Sequence, residues 1–279
     1  DIAVGAPGGD GNGRAFLYSG ADGALIEALD GENWLDRFGY ALSVSPDLDG
    51  DGTAELIVGA PHDMDDFIGP PLGRAYVYSG ADRSLLLDWS GRGVGDLFGS
   101  AADSIGDVDG DGAPDIAIVS PYAAINPGSD LEAVRSTSVF SGADGRLLYD
   151  AVSPAYDSPR SVARIGDVDG DGIPDFLLPE LYFNSTVRSG HNGIVIDRVS
   201  GALEGAPVGD LDQDGRPDFI VGARFPYGTP CYPELPPQNA TVYSGAWASP
   251  EGLLRHVLSD AGVYTWAQAM ALLVERAGR

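Results

Sequence analysis

Asp47-Leu48-Asp49-Gly50-Asp51-Gly52-Thr53-Ala54-Glu55 runs straight into Leu56-Ile57-Val58-Gly59-Ala60-Pro61. Acids stand at positions 1, 3, 5 and 9 of the first nine residues, with Gly at position 6. The same spacing returns from Asp107 to Asp115, from Asp167 to Asp175 and from Asp210 to Asp218. Carboxylates packed this densely repel one another unless a cation sits among them. A hard divalent cation that takes six to eight oxygens suits such a loop, which points to Ca²⁺. Gly at position 6 supplies the sharp turn, because it tolerates backbone angles that other residues avoid. Position 7 varies freely (Thr53, Ala113, Ile173, Arg216), as expected of a residue that offers only its backbone carbonyl. The alternative is a set of acidic surface turns without a metal. A spacing kept through four copies weighs against it.

The candidate ligands are therefore Asp47, Asp49, Asp51, Thr53 and Glu55; Asp107, Asp109, Asp111, Ala113 and Asp115; Asp167, Asp169, Asp171, Ile173 and Asp175; and Asp210, Asp212, Asp214, Arg216 and Asp218. These loops are not EF-hands. An EF-hand needs a bidentate Glu at position 12 and flanking helices, and position 12 here is Val58, Ile118, Leu178 or Val221. Each loop is followed instead by a short β-branched or aromatic run closed in most copies by Gly or Pro, the pattern of a buried strand. The acidic loop thus sits in a hairpin.

The rest of the chain repeats around it. Arg14–Gly20, Arg74–Gly80, Thr137–Gly142 and Thr241–Gly245 each read as a strand ending in a Ser-Gly turn, and another strand follows. The fourth pass reads as Ile194–Asp197 running into Ser200-Gly201. Phe38-Gly39 and Phe98-Gly99 precede two of the loops, with a weaker Ser158–Val162 before the third. One unit holds four strands. Loop starts lie 60 residues apart twice and then 43. That shortfall predicts a unit before Asp210 without its outer strand and Phe-Gly segment. Asp1-Ile2-Ala3-Val4-Gly5-Ala6-Pro7 matches Glu55 to Pro61, so Asp1 takes position 9 of a loop and the chain begins inside a repeat. From about residue 260 the pattern degrades, and Thr265–Arg276 could be a short helix.

Composition agrees. The 40 Gly and 20 Pro of the 279 residues point to many turns and an all-β architecture. A net charge of −26 argues against nucleic acid as a partner. No apolar run approaches the length that crosses a bilayer. Cys231 stands alone, so no internal disulfide forms. His62, His191 and His256 occupy different phases of the repeat, and no nucleophile elbow or phosphate loop is present. The expectation is a chain without catalytic residues.

A repeat with Phe-Gly, an Asp-rich loop and Gly-Ala-Pro resembles the FG-GAP repeat. Phe38-Gly39, Asp47–Glu55 and Gly59-Ala60-Pro61 carry its full pattern; Phe98-Gly99 and Ser120-Pro121 carry a softened one. The chain looks like the β-propeller of integrin α-subunits and of secreted bacterial repeat proteins, the Ser-Gly-Ala-Asp-Gly turns being closer to the bacterial group. The resemblance implies one propeller domain over 1–279, built of four-stranded antiparallel blades. About five are visible where the family usually closes with seven. It also implies Ca²⁺ at about four hairpins that join the first two strands of their blades. The expected role is an extracellular, non-catalytic adhesion module for protein or carbohydrate, without membrane insertion, that could associate end to end if the ring is open. The alternative is the propeller of a secreted polysaccharide-active enzyme or lectin. For a lectin, the insertions Asp63–Leu72 and Phe225–Pro237 would supply aromatics. Asn184-Ser185-Thr186 and Asn239-Ala240-Thr241 match the glycosylation acceptor pattern, a triplet common by chance.

Overall fold

A computed structural model gives the fold. It describes residues 1–61, 72–93, 95–122, 135–153, 159–180, 184–200, 204–211, 213–222, 240–243 and 256–257. The insertions bearing Phe67 and Tyr227, together with Cys231, His62, Asn239 and the tail from 258, lie outside these residues.

The described residues form five antiparallel sheets in chain order. The first has three strands: β1 (Ile2–Ala6), β2 (Arg14–Tyr18) and β3 (Leu25–Asp30). The second has β4 (Ala41–Ser45), β5 (Glu55–Ala60), β6 (Arg74–Tyr78) and β7 (Leu85–Ser90). The third has β8 (Ala101–Gly106), β9 (Asp115–Ser120), β10 (Arg135–Phe140) and β11 (Leu147–Ser153). The fourth has β12 (Ala163–Gly166), β13 (Asp175–Leu178), β14 (Asn184–Arg188) and β15 (Val195–Ser200). The fifth has β16 (Glu204–Gly209), β17 (Asp218–Gly222), β18 (Ala240–Tyr243) and β19 (His256–Val257). Every sheet is an up-and-down meander. The inner strands β1, β4, β8, β12 and β16 neighbour one another in that order, so the sheets fan out as blades along an arc.

The cores lie between blades rather than within them. Ala15 of the first blade packs with Phe38, Leu56, Val58 and Tyr76 of the second. Ile57, Val77 and Trp89 of the second pack with Phe98, Ile116 and Ile118 of the third. Val119 and Val139 of the third meet Phe176 and Leu178 of the fourth, and Leu177 and Val187 of the fourth meet Phe219 and Val221 of the fifth. Second strands are thus covered on both faces, which is why Leu56-Ile57-Val58 and Ile116-Ala117-Ile118 read as unbroken apolar runs. Burying each such side chain stabilises by about 1.5–3 kcal/mol, and a blade obtains this only from its neighbours.

The Phe-Gly segment carries the chain from one blade to the next. Phe38 is 1% exposed and lies 5.5 Å, centroid to centroid, from Tyr76. Phe98 packs edge-on against Phe140 at 6.1 Å. The glycine after each Phe runs against the glycine of the preceding blade's apolar strand. A Cβ on Gly59 would collide with the carbonyl oxygen of Gly99, and one on Gly5 with that of Gly39. The two glycines of the motif let backbone touch backbone between blades.

The fourth blade departs from the sequence expectation. Its turn is Ser189-Gly190, not Ser200-Gly201. Ser189 N–H donates to Ile194 O at 2.9 Å and Gly193 N–H to Ser189 O at 2.8 Å. Ser141 and Gly145 make the same pair of bonds in the third blade. The outer strand is present, as β15. Two connections are short instead: only residues 179–183 join β13 to β14, and only 201–203 join β15 to β16. The second change removes the Phe-Gly segment, as expected. The blade itself is whole because Val187 and Val199 still need the cover of Phe219 and Val221.

Candidate metal centres

Each acidic loop joins the first and second strands of a blade. The chain reverses there through two left-handed residues. Gly50 and Gly52 have φ of 82° and 88°, and Gly110 and Gly112 have 80° and 95°. Position 4 is therefore as constrained as position 6, which the sequence reading did not single out. In the last loop position 4 is Gln213, held at φ 62°. A side chain in this region costs about 1–2 kcal/mol. Gln213→Gly is expected to stabilise the chain by about 0.5–1 kcal/mol, the greater freedom of unfolded glycine offsetting part of the relief. Urea unfolding of the two proteins measures it.

The carboxylates organise the loop backbone. Asp47 accepts N–H bonds from Gly50 at 2.7 Å and Gly52 at 2.9 Å through its two oxygens. Asp107 and Asp167 do the same with their own glycines. Asp49 accepts from Asp51 N–H at 3.0 Å. At position 5, Asp51, Asp111, Asp171 and Asp214 each accept the N–H of position 7, that is of Thr53, Ala113, Ile173 and Arg216. Thr53 adds its hydroxyl to Asp51.

The acid at position 9 begins the second strand and is buried in every copy: Glu55, Asp115, Asp175 and Asp218 are at most 2% exposed. One oxygen accepts the N–H of position 2, from Leu48, Val108, Val168 and Leu211 at 2.7–2.9 Å. The other oxygen of Asp115 and of Asp175 accepts the N–H of the Ser-Gly glycine, Gly142 or Gly190, each at 3.0 Å. Ser141 Oγ donates to Asp111 at 3.2 Å. The Ser-Gly turn thus holds the acidic loop from the far side of the blade. Asp1 likewise accepts the N–H of a Ser-Gly glycine, Gly20, at 3.1 Å. Burial raises these acids: Glu55 to about 7, and Asp115 and Asp175 to about 6.

Among the described residues, three carboxylate groups converge closely enough to hold an ion. They are Asp47, Asp49, Asp51 and Glu55; Asp107, Asp109 and Asp115; and Asp167, Asp169 and Asp175, with one oxygen of each residue within 4.8 Å of the others. Asp111 and Asp171 stand outside their clusters, bonded to position 7. In the fourth loop Asp212 lies outside the described residues. Glu55 supplies a test of fit. Its Oε1 is buried and meets no hydrogen-bond donor, and a buried oxygen of this kind costs about 1–3 kcal/mol unless something satisfies it. A cation held among the four carboxylates would satisfy that oxygen, so the residues present fit a metal.

Position 2 ties the loops to blade packing. Val108 and Val168 are buried in the cores between blades. Leu48 packs into the core between the second and third blades. Leu48 also approaches Gly142 of the third blade, and Val108 approaches Gly190 of the fourth. Arg216 Nη1 reaches back from the fourth loop to Val168 O at 2.9 Å. Among the described residues, no helix is long and apolar enough to cross a membrane.

Blades that pack face to face in chain order, with an acidic hairpin in each of the four-stranded ones, define a repeat protein of the β-propeller type. Residues 38–78 match the FG-GAP repeat family. The chain is 32% identical over 227 residues to integrin alpha-5 of Xenopus laevis, covering 74% of this chain and 20% of that protein. It is 34% identical over 195 residues to integrin alpha-8 of Gallus gallus, covering 64% and 18%. The units of this chain are FG-GAP repeats, similar to those of integrin α-subunits. The chain spans about a fifth of the length of these relatives. A protein of unknown function from Bacteroides caccae aligns with 91% of this chain and 70% of its own at a TM-score of 0.49 and 10% identity.

Proposed function

We propose that this chain is a Ca²⁺-stabilised FG-GAP propeller segment that acts outside the cell as a non-catalytic recognition module for a protein or carbohydrate ligand. The observation that carries the metal is Glu55 Oε1, buried without a donor inside a group of four carboxylates. Bound Ca²⁺ would neutralise the mutual repulsion of position-1, 3, 5 and 9 acids and fix each hairpin. Carbonyl oxygens of Thr53, Ala113, Ile173 and Arg216 complete the proposed ligand sets. Affinities suited to extracellular calcium, about 10⁻⁴–10⁻³ M, are enough for such loops. The likeness to integrin α-subunits supports recognition rather than catalysis and a place at the cell surface. Binding falls to the rims, where connections between strands vary in length.

Equilibrium dialysis against millimolar Ca²⁺, followed by atomic emission, tests the metal directly. About four ions per chain are expected. Asp47→Asn is expected to remove one of them and leave the others. A chain that retains no calcium, or that loses none with Asp47→Asn, overturns the assignment.

A further inference from the structure

We infer that the loops are unequal: the Asp47–Glu55 loop takes Ca²⁺ more tightly than the Asp107–Asp115 loop, which Arg146 guards. The inference rests on the metal reading above and extends it to a ranking that the repeated sequence does not suggest.

Two independent features separate the loops. The first is the position-9 acid. In the Asp107 loop both oxygens of Asp115 already accept backbone N–H groups, from Val108 and from Gly142. In the Asp47 loop Glu55 is one methylene longer. One of its oxygens accepts from Leu48, and the other is buried with no donor. A cation entering the first loop satisfies that oxygen. A cation entering the second must share oxygens with donors already in place.

The second feature is an occupant. Arg146 Nη2 lies 2.6 Å from Asp109 Oδ2, a charge-assisted bond to a member of the second cluster. Asp109 Oδ1 meanwhile accepts Asp111 N–H at 3.1 Å. The arginine follows the Ser-Gly turn, five residues after Ser141. The residue at that place in the second blade is Ser84, too short to reach its loop. A cation at the Asp107 loop has to displace the guanidinium from Asp109 or bind beside a fixed positive charge, and either lowers its affinity. Most of the Arg146 side chain is solvated, so the pair itself is of modest strength.

Calorimetric titration of Ca²⁺ into the chelator-stripped protein, with a competing chelator to resolve the tight phase, tests the ranking. Arg146→Ala is expected to strengthen one of the weaker phases about fivefold. Glu55→Gln is expected to weaken or abolish a phase tighter than that one. Arg146 is a surface residue, so its variant keeps the fold, and its melting curve in chelator checks that. The inference is overturned if Arg146→Ala leaves every phase where it was, or if the phase lost with Glu55→Gln is weaker than the phase that Arg146→Ala moves. A wild-type protein that binds no Ca²⁺ at all overturns the metal reading instead.

Discussion

Stripping calcium with a chelator at neutral pH is expected to lower the melting temperature of this protein by about 10–15 °C. A cation bound only by the folded state stabilises it by RT ln(1 + [L]/Kd), about 1.5 kcal/mol per loop at millimolar Ca²⁺ and a Kd near 10⁻⁴ M. Three loops with converged carboxylates bring the total to about 4–5 kcal/mol. Each kcal/mol moves the midpoint of a chain of this size by about 2–4 °C. The effect should also depend on pH in a way that identifies its source. Glu55, Asp115 and Asp175 are raised by burial to about 7, 6 and 6. In the stripped protein they keep their protons in the fold at a pH where the unfolded chain has released them. The stability this gives is fully present below the unfolded values near 4 and is lost as pH rises through 6 to 7. The stripped protein should therefore melt lower at pH 7.5 than at pH 5. Calcium needs the ionised carboxylates, so its stabilisation should grow over the same interval and close the gap. Scanning calorimetry at pH 5 and 7.5, with calcium and with chelator, gives the four numbers. Identical melts with and without calcium at pH 7.5 would remove the metal from the account.

How far such loops were legible in the sequence depends on the distance over which a residue acts. The acidic spacing, the hairpin it closes and the strand that follows are local, and all were readable. The alignment of Asp1 with position 9 was readable as well, and Asp1 accepts the N–H of Gly20 as Asp115 accepts that of Gly142. The Ser-Gly turn was readable as a turn, but its work was not. Ser141 and Gly142 act on Asp111 and Asp115, about thirty residues away in the chain, and no period within a segment reports that. The same gap explains the misplaced turn of the fourth blade. Ser200-Gly201 lay at the spacing set by the other units, whereas Ser189-Gly190 follows Arg188 where the other blades have Tyr18, Tyr78 or Phe140. The better signal was local. Asn192 accepts the N–H of Ile194, as Asp144 accepts that of Arg146. Gly193 has φ 71°, as Gly145 has 73°. Ser189-Gly190-His191-Asn192-Gly193 is the third blade's Ser-Gly-Ala-Asp-Gly with His for Ala and Asn for Asp. Spacing misled here because loop lengths are free to vary while turn chemistry is not.

The largest effect of a single substitution is expected at Gly142. A Cβ built there falls on the carbonyl oxygen of Pro114, well inside the 3.0 Å that real Cβ atoms respect, and at 3.0 Å from Leu48 of the second blade. The obstacle on one side is backbone, fixed at the start of β9. On the other it is the side chain that docks the neighbouring acidic loop. Gly142→Ala must push the turn outward, and the turn carries two bonds to the loop: Gly142 N–H to Asp115 at 3.0 Å and Ser141 Oγ to Asp111 at 3.2 Å. Losing the first leaves an oxygen of a carboxylate with 0% exposure unsatisfied, which costs about 1–3 kcal/mol. Overpacking against backbone adds about 1–3 kcal/mol. A total near 4 kcal/mol is expected in urea unfolding, with calcium affinity lost at the Asp107 loop. Gly110→Ala is the control. It lies in the same loop at φ 80°, with open space where the methyl would go, so its cost should stay near the 1–2 kcal/mol of a left-handed alanine. Equal losses for the two variants would mean that the turn does not grip the loop. A loss at Gly142 two to three times larger would place the grip at the contact between the Ser-Gly turn and the buried acid.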